Sequence, residues 1–308
     1  MPSLKQTHIQ TVDMSQKRTQ RLRQITEKII QLPTLPTIVT QLIALVGNPR
    51  SSAREVAQLV STDQALTAKI LKVANSAFYG FAREIATVQL AIVVLGLEMV
   101  KNLGLSVTVL KRFSTGREHR LFDRQRFWEH AIGCGVAGRL LARRLKQNSL
   151  ADEAFVAGVL HDIGKLILIE YFTDEFSEAL ELAEAEAISI EAAEEKTLGV
   201  THAEIGGWLA EKWNLPQNLV NAIALHHHPN LLEAPEDLVL FVHMANALIR
   251  YNQVGSSGDK QGPQLDAQVA QFFKQGQDVS DNDLLEFLSK DLNTELKKAQ
   301  VFRDLDEP

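Results

Sequence analysis

The chain has 308 residues, 45% of them apolar and 23% charged, enough to bury a sizeable core in two domains or one large one. A formal net charge of −6 argues against a protein that clamps nucleic-acid phosphates, and the single cysteine, Cys134, excludes an internal disulfide. The lone thiol fits a reducing compartment, the polar start MPSLKQTHIQ has no apolar leader, and the longest apolar stretch, ATVQLAIVVLGLEMV, is short and carries Gln89 and Glu98; a cytoplasmic protein without membrane contact is expected.

In chain order, residues 1–20 lack apolar periodicity and are expected to be mobile. The basic run KRTQRLRQ (17–24) reads as a solvated face, and nucleic acid is not the expected partner. A short amphipathic helix is predicted over 21–31, with Leu22, Ile25, Ile29 and Ile30 on one side. LPTLPT follows, where Pro33 and Pro36 fix an extended connector. Ser52 and Glu55 form a capping-box pair ahead of EVAQLV. Asp63 starts DQALTAKILKVAN, whose Leu66, Ile70, Val73 and Ala74 recur at helical spacing, and Leu90, Val94, Leu97 and Lys101 continue the pattern. NSAFYG (75–80) reads as a helix-end turn whose Phe78 and Tyr79 either pack inward or anchor a partner.

The polar, basic stretch KRFSTGREHRLFDRQR places a boundary near residue 120, between an N-terminal helical part (21–120) and a second part (121–308). Helices are predicted over 127–147, 150–172, 174–186, 189–197, 201–213, 216–227 and 236–251. A loop over 252–266 surrounds GSSGDKQGPQ, and Ser280 caps a last helix, DNDLLEFLSKDLNTELKKAQ. Period-2 alternation is hard to find, so the expected fold is all-α, in two helical domains.

Six of the nine histidines fall in helical segments of the second part: His130, His161, His202, His226, His227 and His243. Imidazole is the commonest metal ligand among side chains, with carboxylate its usual companion. In VLHDIGKLIL the doublet His161–Asp162 sits inside an apolar run, and buried polar groups there need partners. Neighbours on one helix point about 100° apart, yet an ion over the ridge between them can be reached by both. His161–Asp162 and His226–His227 are thus possible half-sites from separate helices, with His130 and His202 able to close the shell. Gly164 can admit a ligand or a neighbouring helix. Lys165 either reaches an anion held at a metal or is a solvated surface lysine, and Cys134 either lines the pocket or packs as a small apolar residue.

The first part resembles the HDOD domain, a bacterial signalling module related to the HD phosphohydrolases, through LPTLPTIVTQLIALVGNP, STDQALTAKILKVANSAFYG and IATVQLAIVVLGLEMVKNLGL. The second resembles the HD superfamily itself through FWEHA, VAGVLHDIGKLIL, VTHAEIGGWLAEKWNLP and His226–His227 followed by Pro229. The resemblance implies metal ligands at His130, His161, Asp162, His202, His226 and His227, with Asn246 where the superfamily has a final aspartate. An amide oxygen brings no charge and binds a hard cation more weakly. The GYP segment of the cyclic di-GMP hydrolases is missing from HHHPNLLEAPEDL. With one carboxylate in the set, one divalent ion (iron, manganese, zinc or magnesium) is expected rather than two. The expected function is a regulatory signal-transduction module with a degenerate HD-type metal or nucleotide pocket, meeting signalling proteins through its first part. The alternative is a metal-dependent phosphohydrolase of a nucleotide or cyclic dinucleotide. Catalytic candidates are Asp162 and Lys165.

Overall fold

Helix caps written into the sequence set where half of the α-helices begin. In the computed structural model, which describes residues 34–116, 119–232 and 234–305, Ser52 and Glu55 close the predicted capping box at the start of α2. The expectations for 1–20, for a helix over 21–31 and for Pro33 lie outside the described residues. The first five helices are α1 (Thr37–Val46), α2 (Ala53–Ser61), α3 (Gln64–Ala74), α4 (Val88–Leu95) and α5 (Leu97–Phe113). Asp63 caps α3, which buries Leu66, Ile70, Val73 and Ala74 as their spacing predicts.

The helical pattern of residues 90–101 breaks differently from expectation. Gly96, at φ +89°, takes a conformation that side-chain-bearing residues rarely adopt, and α4 meets α5 at a bend of 117°. The bend separates Leu90 and Val94, which stay exposed, from Lys101, which is buried and ion-paired to Glu98. In the NSAFYG turn, Asn75 holds the backbone of Ile85 in both directions, and Phe78 packs inward against Phe155 and Phe302.

The later helices are α6 (Arg124–Arg144), α7 (Ala151–Leu160), α8 (Ile163–Tyr171), α9 (Thr173–Glu186), α10 (Ile190–Thr197), α11 (His202–Lys212), α12 (Gln217–Ala224), α13 (Asp237–Tyr251), α14 (Ala267–Lys274), α15 (Asp281–Leu288) and α16 (Leu292–Lys298). The fold is all-α. Among the described residues the only extended pairing is an isolated bridge between His119 and Phe122, and no single helix is long and apolar enough to cross a membrane. One buried apolar cluster runs from Leu35 to Leu305, and α5 packs on α7 across the boundary drawn near residue 120.

Three predicted helices are shorter than expected. The helix over 150–172 is two, parted at His161–Asp162, because Asp162 (φ −98°, ψ 11°) leaves helical geometry. The helix over 216–227 ends at Ala224, which puts His226 and His227 in the bend beyond it. The last helix breaks where Asp291 turns left-handed (φ +69°), and Arg144 of α6 satisfies the carbonyls of Leu288 and Lys290 exposed there. Residues 267–274, left without an element between the loop and the Ser280 helix, form α14, capped by Asp266.

Candidate metal centre

Packing of α6 on α7, α6 on α13, α8 on α11 and α11 on α12 brings the polar residues of the second part together. His130 comes from α6, His161 closes α7, and Asp162 opens α8. A capping box of Thr201 and Glu204 starts α11 at His202. A side-chain carbon on Gly164 would lie 1.9 Å from the carbonyl oxygen of His202, so only glycine lets α8 approach the first turn of α11 so closely.

The Asp162 carboxylate is the hub. Its Oδ1 faces Nε2 of His202 at 3.1 Å and Nε2 of His226 at 3.6 Å. Its Oδ2 faces Nε2 of His161 at 3.4 Å and of His130 at 3.9 Å. Two donor groups result: Asp162 with His202, His226 and His227, and His130 with Cys134 and His161, the donor atoms of each within 4.8 Å of one another. Six of the seven residues expected in the set thus converge. Asn246 is buried on α13, where its Oδ1 accepts no hydrogen bond.

The rings are oriented from behind. The Nδ1–H of His161 donates to the Gly158 carbonyl (2.7 Å), that of His226 to Ile223 (2.8 Å), and that of His202 to Glu194 Oε2 (2.7 Å). Each bond fixes the tautomer and turns Nε2 inward, the arrangement in which ligand histidines are held. In the neutral rings those inward nitrogens are lone pairs facing a carboxylate, which is repulsive unless a cation or proton stands between. Among the described residues, His161 Nε2, Asp162 Oδ1 and His226 Nε2 are buried without a hydrogen-bond partner. Orphaned, converging acceptors of this kind fit a divalent cation.

Charge follows the geometry. Burial would raise the Asp162 carboxyl, but His161, Lys165 and the His202 and His226 rings hold it well below the usual carboxylate range. Burial works against a charged His202, yet Glu194, with Asp162, pushes it up to about 9. Burial takes His130 down to about 4, and burial with neighbouring rings takes His161 and His227 well below their ordinary value.

Lys165 corrects the surface reading. Its side chain is buried, and Nζ donates to Asp162 Oδ2 and to the Ser257 carbonyl, both at 2.7 Å. Cys134 is buried too, with Sγ 3.5 Å from His130 Nε2, so it packs and lines the pocket at once. Three features had no sequence assignment. Glu194 stands eight residues before His202, at a spacing that marks no motif. His243 accepts from the Asp266 amide and donates Nδ1–H to the His226 carbonyl, fixing the backbone of His226. The segment read as a plain loop reaches the centre: Ser257 holds Lys165 and Asp259 accepts the Ile190 amide.

A family model described as the HDOD domain matches residues 32–229. An HDOD domain protein of unknown function from Geobacter sulfurreducens is similar in structure, with a TM-score of 0.75 and 26% identity over 95% of this chain and 98% of that one. A suggested phosphohydrolase from Shewanella amazonensis SB2B gives a TM-score of 0.67 and 26% identity over 90% of this chain and 97% of that one. An uncharacterized protein of Treponema pallidum strain Nichols is 27% identical over 268 residues, 85% of this chain. The chain spans about half the length of that relative.

Proposed function

The chain belongs to the HDOD domain family, and from that premise we propose that it is a signal-transduction module whose buried centre takes one divalent cation as a fixed structural or signalling ion. Asp162, His202, His226 and His227 would hold the ion, which when bound supplies Lewis acidity and a water acidified at the metal. Glu194, Ile223 and His243 orient the rings, and the surrounding apolar helices exclude solvent.

The observation that carries this reading is enclosure. His161, Asp162, His202 and His226 have no solvent exposure, and Lys165 spans from Asp162 to the 252–266 segment. Of the four residues that would hold the ion, His227 alone is partly exposed, with 15% of its side chain in solvent. Output through protein contact is supported by the row Leu90, Val93 and Val94 on α4, which leaves apolar side chains in solvent.

A second reading, a metal-dependent phosphohydrolase, is favoured by the six converging ligands and by the description of the Shewanella relative. The test is metal content of tag-free protein by elemental mass spectrometry, paired with hydrolysis assays on cyclic di-GMP and linear dinucleotides. We expect about one equivalent of metal and no turnover. Turnover at enzyme-like rates that His161→Ala abolishes in folded protein would replace the first reading with the second.

A further inference from the structure

The two oxygens of Asp162 are served differently. Around Oδ1 stand His202, His226 and His227, with no side-chain ammonium or guanidinium bonded to that oxygen. Around Oδ2 stand His161 and His130, with Cys134 beside His130, donor atoms close enough to share an ion of their own. That side already holds a cation. The Lys165 ammonium lies 2.7 Å from Oδ2 and is fixed from behind by the Ser257 carbonyl, and its side chain is 2% exposed.

We propose that Lys165 is a built-in second cation: its ammonium stands in for a divalent ion at the His130–Cys134–His161 group and limits the centre to one metal, on the Oδ1 side. This rests on the reading that the centre binds a divalent cation. The charge count supports it. Asp162 and Glu194 bring two fully buried negative charges to the cluster, while Glu191, beside His227, is 15% exposed and screened by solvent. One divalent ion with the ammonium leaves one positive charge in excess, and two divalent ions with it leave three. A second ion taking Oδ2 would share that oxygen with an ammonium that has no route to water, where opposing charges are screened least. Removing the ammonium lowers the excess for two ions to two and frees Oδ2 as a ligand.

The test is cobalt(II) reconstitution of the full chain as wild type, Lys165→Met and Lys165→Gln, with bound metal counted by elemental mass spectrometry and folding followed by circular dichroism. The glutamine variant keeps a hydrogen-bonding group toward Asp162 and Ser257 should the methionine variant not fold. We expect one equivalent in the wild type and two in the variants. The second ion would bring a thiolate-to-cobalt charge-transfer band, absent from the wild type and lost again when Cys134→Ser is added. One equivalent in wild type and folded variants alike overturns the proposal and leaves the one-ion reading intact. Two equivalents in the wild type overturn the exclusion by Lys165. No cobalt in any of the proteins overturns the metal reading itself.

Discussion

The buried centre and the outer face of α4 are opposites. In the centre, five ionisable residues (His161, Asp162, Lys165, His202 and His226) sit at 1% exposure or less, each bonded or aimed inward. On α4, Val93 is 74% exposed and Leu90 and Val94 are near 40%. The molecule keeps charge in and apolar surface out at these two places, against the usual partition. The function proposed above completes each inversion: an ion in the first case, a partner surface in the second. Four changes break or sharpen the comparison.

The largest effect is expected from Asp162→Ala. It strands the Lys165 ammonium in the interior and should cost about 3–5 kcal/mol in urea unfolding. Adding Lys165→Met to the same chain should recover most of that loss, since a pair of buried charges replaced together is far less costly than one removed alone. A double variant no better than the single would mean that Lys165 and Asp162 are not energetically paired.

Next is pH, on metal-free protein. His130 has a folded-state value of about 4 against an ordinary 6.5, so its contribution is complete above 6.5 and is lost as pH falls toward 4. His202 is raised to about 9, so its contribution is complete below 6.5 and is lost as pH rises through 9. Each shift corresponds to about 3 kcal/mol. Chemical denaturation should therefore give a stability maximum near pH 6.5, steeper on the acid side, where His161 and His227 add to the loss. A flat profile from pH 5 to 9 would contradict the charge assignment.

A smaller loss, about 1–3 kcal/mol, is expected from Gly164→Ala, which drives a methyl into the His202 backbone. It should also weaken metal binding, because α8 and α11 carry facing ligands. The smallest effect is expected on α4. Val93→Asp should change stability by less than about 0.5 kcal/mol, because its side chain is already in water. A large loss there would show that the face is packed in solution.

What was legible in the sequence divides along local and non-local lines. The caps at Ser52, Asp63 and Ser280 were readable because each is settled within four residues. The polar cluster was readable through a resemblance to a known superfamily: six of the seven residues that it implies as ligands meet in space. The break at His161–Asp162 was not readable, because apolar residues continue on both sides and periodicity does not register a change of axis. Lys165 looked like a surface residue because its second partner, Ser257, lies 92 positions away. The exposure of Leu90 and Val94 was hidden for the same reason: the bend at Gly96 decides which face meets the core, and spacing alone does not show the bend.

The central claim is a single ion held on the Oδ1 side of Asp162. Anomalous diffraction at the absorption edge of the bound metal, on crystals of metal-loaded wild-type protein, tests it most directly. The account predicts one peak among Asp162, His202, His226 and His227, with Lys165 still on Oδ2. A second peak at His130 and His161, or none in crystals of protein shown to carry metal, would contradict it.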